Sequence, residues 1–126
     1  MAASKKTSVP VALFGKDERV SEAVKEKLLP DFEVVHICND VGSAVSEFPP
    51  LFRGKSRVPE AVFFGGNFSD AEYQAIVKAV MKTCGENVPK FIKCQKFDVL
   101  AAGSFGPNPN AIAKVFRKKM AAATAA

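Results

Sequence analysis

Val9-Pro-Val-Ala-Leu-Phe14 is a continuous apolar run. Gly15-Lys16-Asp17 closes it, and Val20, Ala23, Val24, Lys27 and Leu28 follow at helical spacing. A run that is apolar at every position, rather than at alternate ones, is what a strand covered on both faces requires. The helical stripe after it supplies one of the covers. The same alternation recurs at Phe32–Cys38 and Ala61–Phe64, and less cleanly at Phe91–Cys94. Strand and amphipathic helix in turn is how a parallel sheet wrapped by helices reads. The expected fold class is therefore α/β: one doubly wound parallel sheet of four or five strands with helices on both faces. Right-handed crossovers give the order 2-1-3-4, with residues 97–102 as the possible fifth strand.

The punctuation between these runs agrees with that reading. Asp17 is placed to cap the first helix and Pro30 to stop it. Asp40 caps a second helix carrying Val41, Ala44, Val45 and Phe48, which Pro49-Pro50 is expected to end. Residues 51–60 form a basic connection. Ser69-Asp-Ala-Glu72 has capping-box spacing, and Tyr73, Ile76, Val77, Val80, Met81 and Cys84 make the buried face of the helix it opens. Gly85 suits the residue just past that helix. Asn108-Pro109 reads as cap and first residue of a last helix, with Ile112, Val115, Phe116 and Met120 inward. The expected organisation is a flexible arm at 1–8, one domain over 9–120, and a frayed Ala-rich tail at 121–126.

The chain has 126 residues, 48% hydrophobic and 25% charged, ordinary for one globular domain. No apolar run approaches the ~20 residues that cross a bilayer, and the residues after Lys5-Lys6 form no apolar signal region. A cytoplasmic protein without membrane contact is expected. The three cysteines, Cys38, Cys84 and Cys94, are odd in number and show no CxxC spacing, so they read as free buried thiols in a reducing compartment. The only histidine, His36, lies inside the second strand, where its side chain is expected to pack or hydrogen-bond under a helix. With one histidine and no cysteine pair, no metal is expected. The net charge of +5 suits contact with a polyanion without demanding it.

The element order resembles that of Rossmann-like and flavodoxin-like domains, whose ligands sit at the carboxyl ends of the strands. The first turn, however, reads Gly15-Lys-Asp-Glu-Arg-Val-Ser21, with only the first glycine of G-x-G-x-x-G. Asp17 and Glu18 also put negative charge where a phosphate would rest, so a dinucleotide cofactor is not favoured. The order is also similar to that of receiver domains, but the third run ends Phe63-Phe64-Gly65-Gly66, with no phospho-accepting carboxylate. Gly54-Lys55-Ser56 mimics only the end of a phosphate loop. Gly103-Ser104-Phe105-Gly106 lacks a spacer of the nucleophile elbow. The basic residues Arg53, Lys55, Arg57, Lys114, Arg117, Lys118 and Lys119 have no aromatic stacking platform beside them, and nucleic acid is not favoured. No acid–base pair is implied, and no catalytic residue is assigned.

Two readings of function follow. In the first, the chain is a non-catalytic interaction or regulatory module that self-associates, by default as a two-fold dimer. Eleven phenylalanines are many for one small core. Phe97, Phe105, Pro107 and Phe116 are the candidate contact residues. In the second, it binds a small anion or nucleotide, with or without catalysis, at the carboxyl ends of strands 1 and 3. That site would combine Gly15, Lys16, Asn39, Asp40, Gly65, Gly66, Asn67 and Gln95. The glycines there allow close backbone approach.

Overall fold

The computed structural model describes residues 8–54, 57–65, 68–95, 98 and 108–125. Among the described residues, four strands, β1 (Val9–Gly15), β2 (Phe32–Cys38), β3 (Ala61–Gly65) and β4 (Lys90–Cys94), alternate with helices α1 (Glu18–Leu28), α2 (Val41–Leu51), α3 (Asp70–Thr83) and α4 (Pro109–Ala125), and all of the possible fifth strand at 97–102 except Asp98 lies outside them. Every strand pairing is parallel, and the order is β2-β1-β3-β4. The doubly wound α/β architecture expected from the apolar rhythm is the one observed.

The two central strands explain the layering. Val11, Ala12, Leu13 and Phe14 of β1, and Ala61, Val62, Phe63 and Phe64 of β3, are all buried. Successive side chains leave a strand on opposite faces, so neither face of this pair can meet water. On one face Val11, Leu13, Ala61 and Phe63 pack with Val24 and Leu28 of α1 and with Ile112, Val115, Phe116 and Met120 of α4. On the other, Ala12, Phe14, Val62 and Phe64 pack with Ala44 and Phe48 of α2 and Ile76 and Val80 of α3. The Phe63 and Phe116 rings stack at 4.3 Å between centroids. Phe116 is fully buried in that stack, so its ring belongs to the core and not to a contact surface, as a correction to its place among the candidate contact residues.

The helix starts follow their caps. Asp17 accepts from the Val20 amide and Asp40 from the Ser43 amide, and Ser69 and Glu72 complete the reciprocal box. Asn108 Oδ1 accepts from the amides of Asn110 and Ala111. Gly85 follows α3 with φ +59°, the left-handed conformation that favours glycine. Two boundaries differ from expectation. Helix α2 continues through Pro49 and Pro50 to Leu51. Buried Phe48 and Phe52 hold that last turn on the core, and the Phe52 and Arg53 amides close it on the carbonyls of Pro49 and Pro50. Helix α4 extends to Ala125, beyond the tail boundary expected at residue 121, in keeping with the high helix propensity of alanine.

The pairing of β1 with β2 has a register shift. Val11 pairs with Val34, but Ala12 pairs with His36, so β2 carries an extra residue at Val35. A bulge of this kind re-aims the side chains beyond it. Phe32 and Val34 face the α1/α4 layer, whereas Cys38 faces α2 and α3.

Replacing Phe116 by Ala should cost about 3–5 kcal/mol in urea unfolding, the usual loss for a buried ring, with no change in solution mass. A loss below about 1 kcal/mol would show that the ring is not the core element described.

Candidate functional site

In a doubly wound sheet the natural ligand position is the crevice beyond the strand ends where the connections diverge to opposite faces. Here that point lies between β1 and β3, because β1 leads into α1 on one face and β3 leads toward α3 on the other. Gly15 and Gly65 end the two strands as paired residues. Asn39 follows β2 on the near side, and Gln95 follows β4 beyond β3. Gly66 and Asn67 lie outside the described residues, as do Phe97, Phe105 and Pro107.

The polar groups gathered there bond to one another. The Gly15 carbonyl accepts from the Asn39 side-chain Nδ2 at 2.6 Å and from the Ser21 hydroxyl at 3.3 Å. Ser21 is itself buried on the first turns of α1. A Cβ built on Gly15 would stand 2.5 Å from Ser21 Oγ, so the glycine makes room for that hydroxyl. A Cβ on Gly65 would meet the Phe116 ring at 3.6 Å and Ile112 Cγ2 at 3.8 Å, both ordinary contacts. Lys16 reaches from the first turn to Glu72 on α3 at 2.8 Å. Asp40 is occupied as the α2 cap, accepting from the Ser43 amide at 2.8 Å and the Ser43 hydroxyl at 3.0 Å. The Gln95 amide donates to Asp98 at 2.8 Å. The structure thus brings Gly15, Lys16, Asn39 and Gly65 to one end of the sheet, while Asp40 serves its helix and Gln95 is bonded to Asp98.

The electrostatics match these roles. The Lys16 ammonium, then the Ser69 amide, holds the Glu72 carboxyl below its ordinary range. The bonds from Ser43 do the same for Asp40. Burial, with the Glu47 charge second, pushes the Cys38 thiol up to about 12. Burial and the Asp98 charge push Cys94 up to about 11. Both thiols are protonated at neutral pH, the opposite of what a nucleophilic cysteine needs.

Three of the basic residues named from the sequence are also tied down. Arg117 binds Asp31 at 2.9 Å and the Lys27 carbonyl at 2.7 Å. Lys119 binds Asp98 at 2.8 Å and the Lys93 carbonyl at 2.7 Å. Arg57 pairs with Glu33. An open depression of about 290 Å³, lined by Val58, Pro59, Glu60, Glu86, Asn87, Val88 and Lys90, lies at the opposite end of the sheet, where β3 and β4 begin.

One grouping escaped the sequence reading. His36 Nε2 lies 2.7 Å from Glu47 Oε1, and the Cys38 thiol donates to that same oxygen at 3.7 Å. His36 does bond under a helix, as expected, with its ring edge-on to Phe48 of α2. The spacing His36-x-Cys38 was visible along the chain, but nothing in the sequence says that Glu47 faces it from α2.

The fold and this strand-end crevice define a doubly wound α/β domain, and among the described residues no helix is long and apolar enough to cross a membrane. No family model matches the chain, and no solved structure matches it. It is similar to kojic acid related protein 6 of Aspergillus oryzae, 29% identical over 76 residues, covering 54% of this chain and 48% of that protein. The chain therefore matches about half the length of that relative.

Gly15→Ala should cost about 1–3 kcal/mol, as overpacking usually does. Adding Ser21→Ala should recover much of that loss, since Asn39 still donates to the Gly15 carbonyl. Chemical denaturation of the two single variants and the double variant measures the coupling, and additive losses would contradict the steric account. Glu72 has its own test. A carboxyl held low stabilises the fold above its unfolded value, and that contribution is lost as pH falls through the folded value. Lys16→Met should raise the Glu72 value toward the ordinary glutamate range in a side-chain NMR titration. An unmoved titration would mean that Lys16 does not hold it.

Proposed function

We propose that this chain is a non-catalytic, Rossmann-like interaction or regulatory module of the cytoplasm that works by associating with a second copy of itself. The observation that supports this reading is the self-satisfied strand-end crevice. Asn39 and Ser21 converge on the Gly15 carbonyl, and Lys16 is paired with Glu72. Catalysis or phosphate binding at this end would need donors aimed at a ligand. Among the described residues, no buried side-chain polar atom lacks a partner. The contact surface assigned to the module is the β4 edge with residues 97–107 and the outer side of α4. Phe97, Phe105 and Pro107 remain its apolar candidates now that Phe116 is accounted for in the core.

A second reading keeps the crevice as a small-ligand site. The paired glycines at the divergence of β1 and β3 favour it. A small anion or nucleotide there would have to displace Lys16 from Glu72, against the charge of Asp17, Asp70 and Glu72 at the flanking helix starts. That cost is why the association reading is preferred.

Native mass spectrometry and light scattering of the tag-free chain at tens of micromolar separate the two. A ligand-free dimer that Phe105→Asp converts to a monomer, with its melting temperature kept, is the expected result. A monomeric wild-type chain overturns the association reading, and a discrete small-molecule adduct supports the second.

A further inference from the structure

His36 and Cys38 lie two residues apart on the edge strand β2, beyond the Val35 bulge. Strand periodicity puts them on one face, and the bulge turns that face toward α2. Glu47 comes down from α2 to meet them. One nitrogen, one sulfur and one carboxylate oxygen lie within 4.8 Å of one another. The Glu47 oxygen is common to both contacts, 2.7 Å from His36 Nε2 and 3.7 Å from Cys38 Sγ.

We propose that His36, Cys38 and Glu47 form a binding site for one zinc-class divalent cation, with three protein ligands and a fourth position open to solvent. The ligand chemistry fits such an ion, which takes imidazole, thiolate and carboxylate in tetrahedral geometry. Metal–ligand bonds of about 2.0–2.3 Å at tetrahedral angles separate nitrogen from oxygen by about 3.4 Å and sulfur from oxygen by about 3.6 Å. The sulfur–oxygen separation is already close to that value, and the nitrogen–sulfur pair, within 4.8 Å, must close to about 3.6 Å. The nitrogen–oxygen pair must open by about 0.7 Å, a small rotation for a Glu47 side chain that is 49% exposed. The Phe48 ring, edge-on at 6.1 Å, limits the tilt of the imidazole. Cys38 is buried, while His36 and Glu47 are both partly exposed. The open position therefore lies toward solvent, where water completes the sphere.

Binding replaces the Cys38 proton with the cation. The metal–sulfur and metal–nitrogen bonds form, the S–H bond breaks and its proton leaves to solvent, the imidazole gives up the proton on Nε2 and is left protonated on Nδ1 alone, and no oxidation state changes. Thiolate and carboxylate together neutralise the double positive charge. The cation ties the edge strand to α2, so it favours the folded state by mass action.

The test uses the tag-free full-length chain, reduced and stripped of metal. Zinc ion in a calorimeter should bind with one equivalent and raise the melting temperature. Cobalt(II) should give a sulfur-to-cobalt charge-transfer band. Removing even an outer-shell partner of a metal ligand weakens affinity about 10–100-fold, and a direct ligand matters no less. His36→Gln, Cys38→Ser and Glu47→Gln should each weaken zinc by about tenfold or more, and Cys38→Ser should abolish the band. Cys84→Ser and Cys94→Ser should leave it unchanged. No saturable zinc binding, or a band that persists in Cys38→Ser, overturns the site and leaves the triad as a hydrogen-bonded pair over a packed thiol. Should Cys38→Ser fail to fold, the other two variants decide, since His36 and Glu47 are partly exposed, and wild-type zinc affinity in both overturns the proposal.

Discussion

Burial of the β1–β3 pair on both faces is the constraint on which the rest of this structure depends. Each strand presents apolar groups upward and downward, so one layer of helices cannot satisfy the sheet. The chain answers with α1 and α4 on one side and α2 and α3 on the other. Right-handed crossovers leave little choice in how it does so. The large rings are used here. Phe63 stacks on Phe116 in one layer, while Phe14, Phe64 and Tyr73 interlock in the other. Several of the phenylalanines that look excessive in composition thus fill two cores rather than one.

The same topology creates a crevice at the strand ends and then the local sequence fills it. Gly15 ends β1 without a side chain, and the space it leaves takes the Ser21 hydroxyl. Asn39 crosses from the end of β2 to the same carbonyl. The acidic residues at the α1 and α3 starts are good caps, and for that reason poor company for an anion. Stability of the first turns and openness to a phosphate ligand are competing uses of the same few groups.

The bulge at Val35 has a different consequence. One extra residue in an edge strand moves His36 and Cys38 to the side opposite Phe32 and Val34. There they meet a carboxylate from a helix that begins only after the strand has ended. A buried thiol, a half-exposed imidazole and a carboxylate sharing one oxygen make the most varied set of ligating atoms on the described surface.

Strand and helix positions, caps and sheet order were legible in the chain because each depends on local chemistry or on handedness. Apolar runs mark doubly buried strands, Asp17, Asp40, Ser69 and Asn108 mark helix starts, and the crossover rule orders the sheet. Helix α2 was misread at Pro49-Pro50 because local propensity argues for a stop, whereas Phe48 and Phe52 anchor the turn from the core. Periodicity placed Phe116 inward with Ile112, Val115 and Met120, as its burial bears out, whereas its second place among the contact residues rested on the number of phenylalanines alone. Gly15, Lys16, Asn39 and Gly65 were legible as strand-end residues, but their mutual bonding was not, since it depends on side chains from three elements meeting. Apolar runs and crossover handedness set the layers and their order before any long-range contact is known. Only the tertiary structure decided which face His36 and Cys38 occupy and that Glu47 joins them, because a one-residue bulge reverses strand alternation without leaving a mark in composition or period.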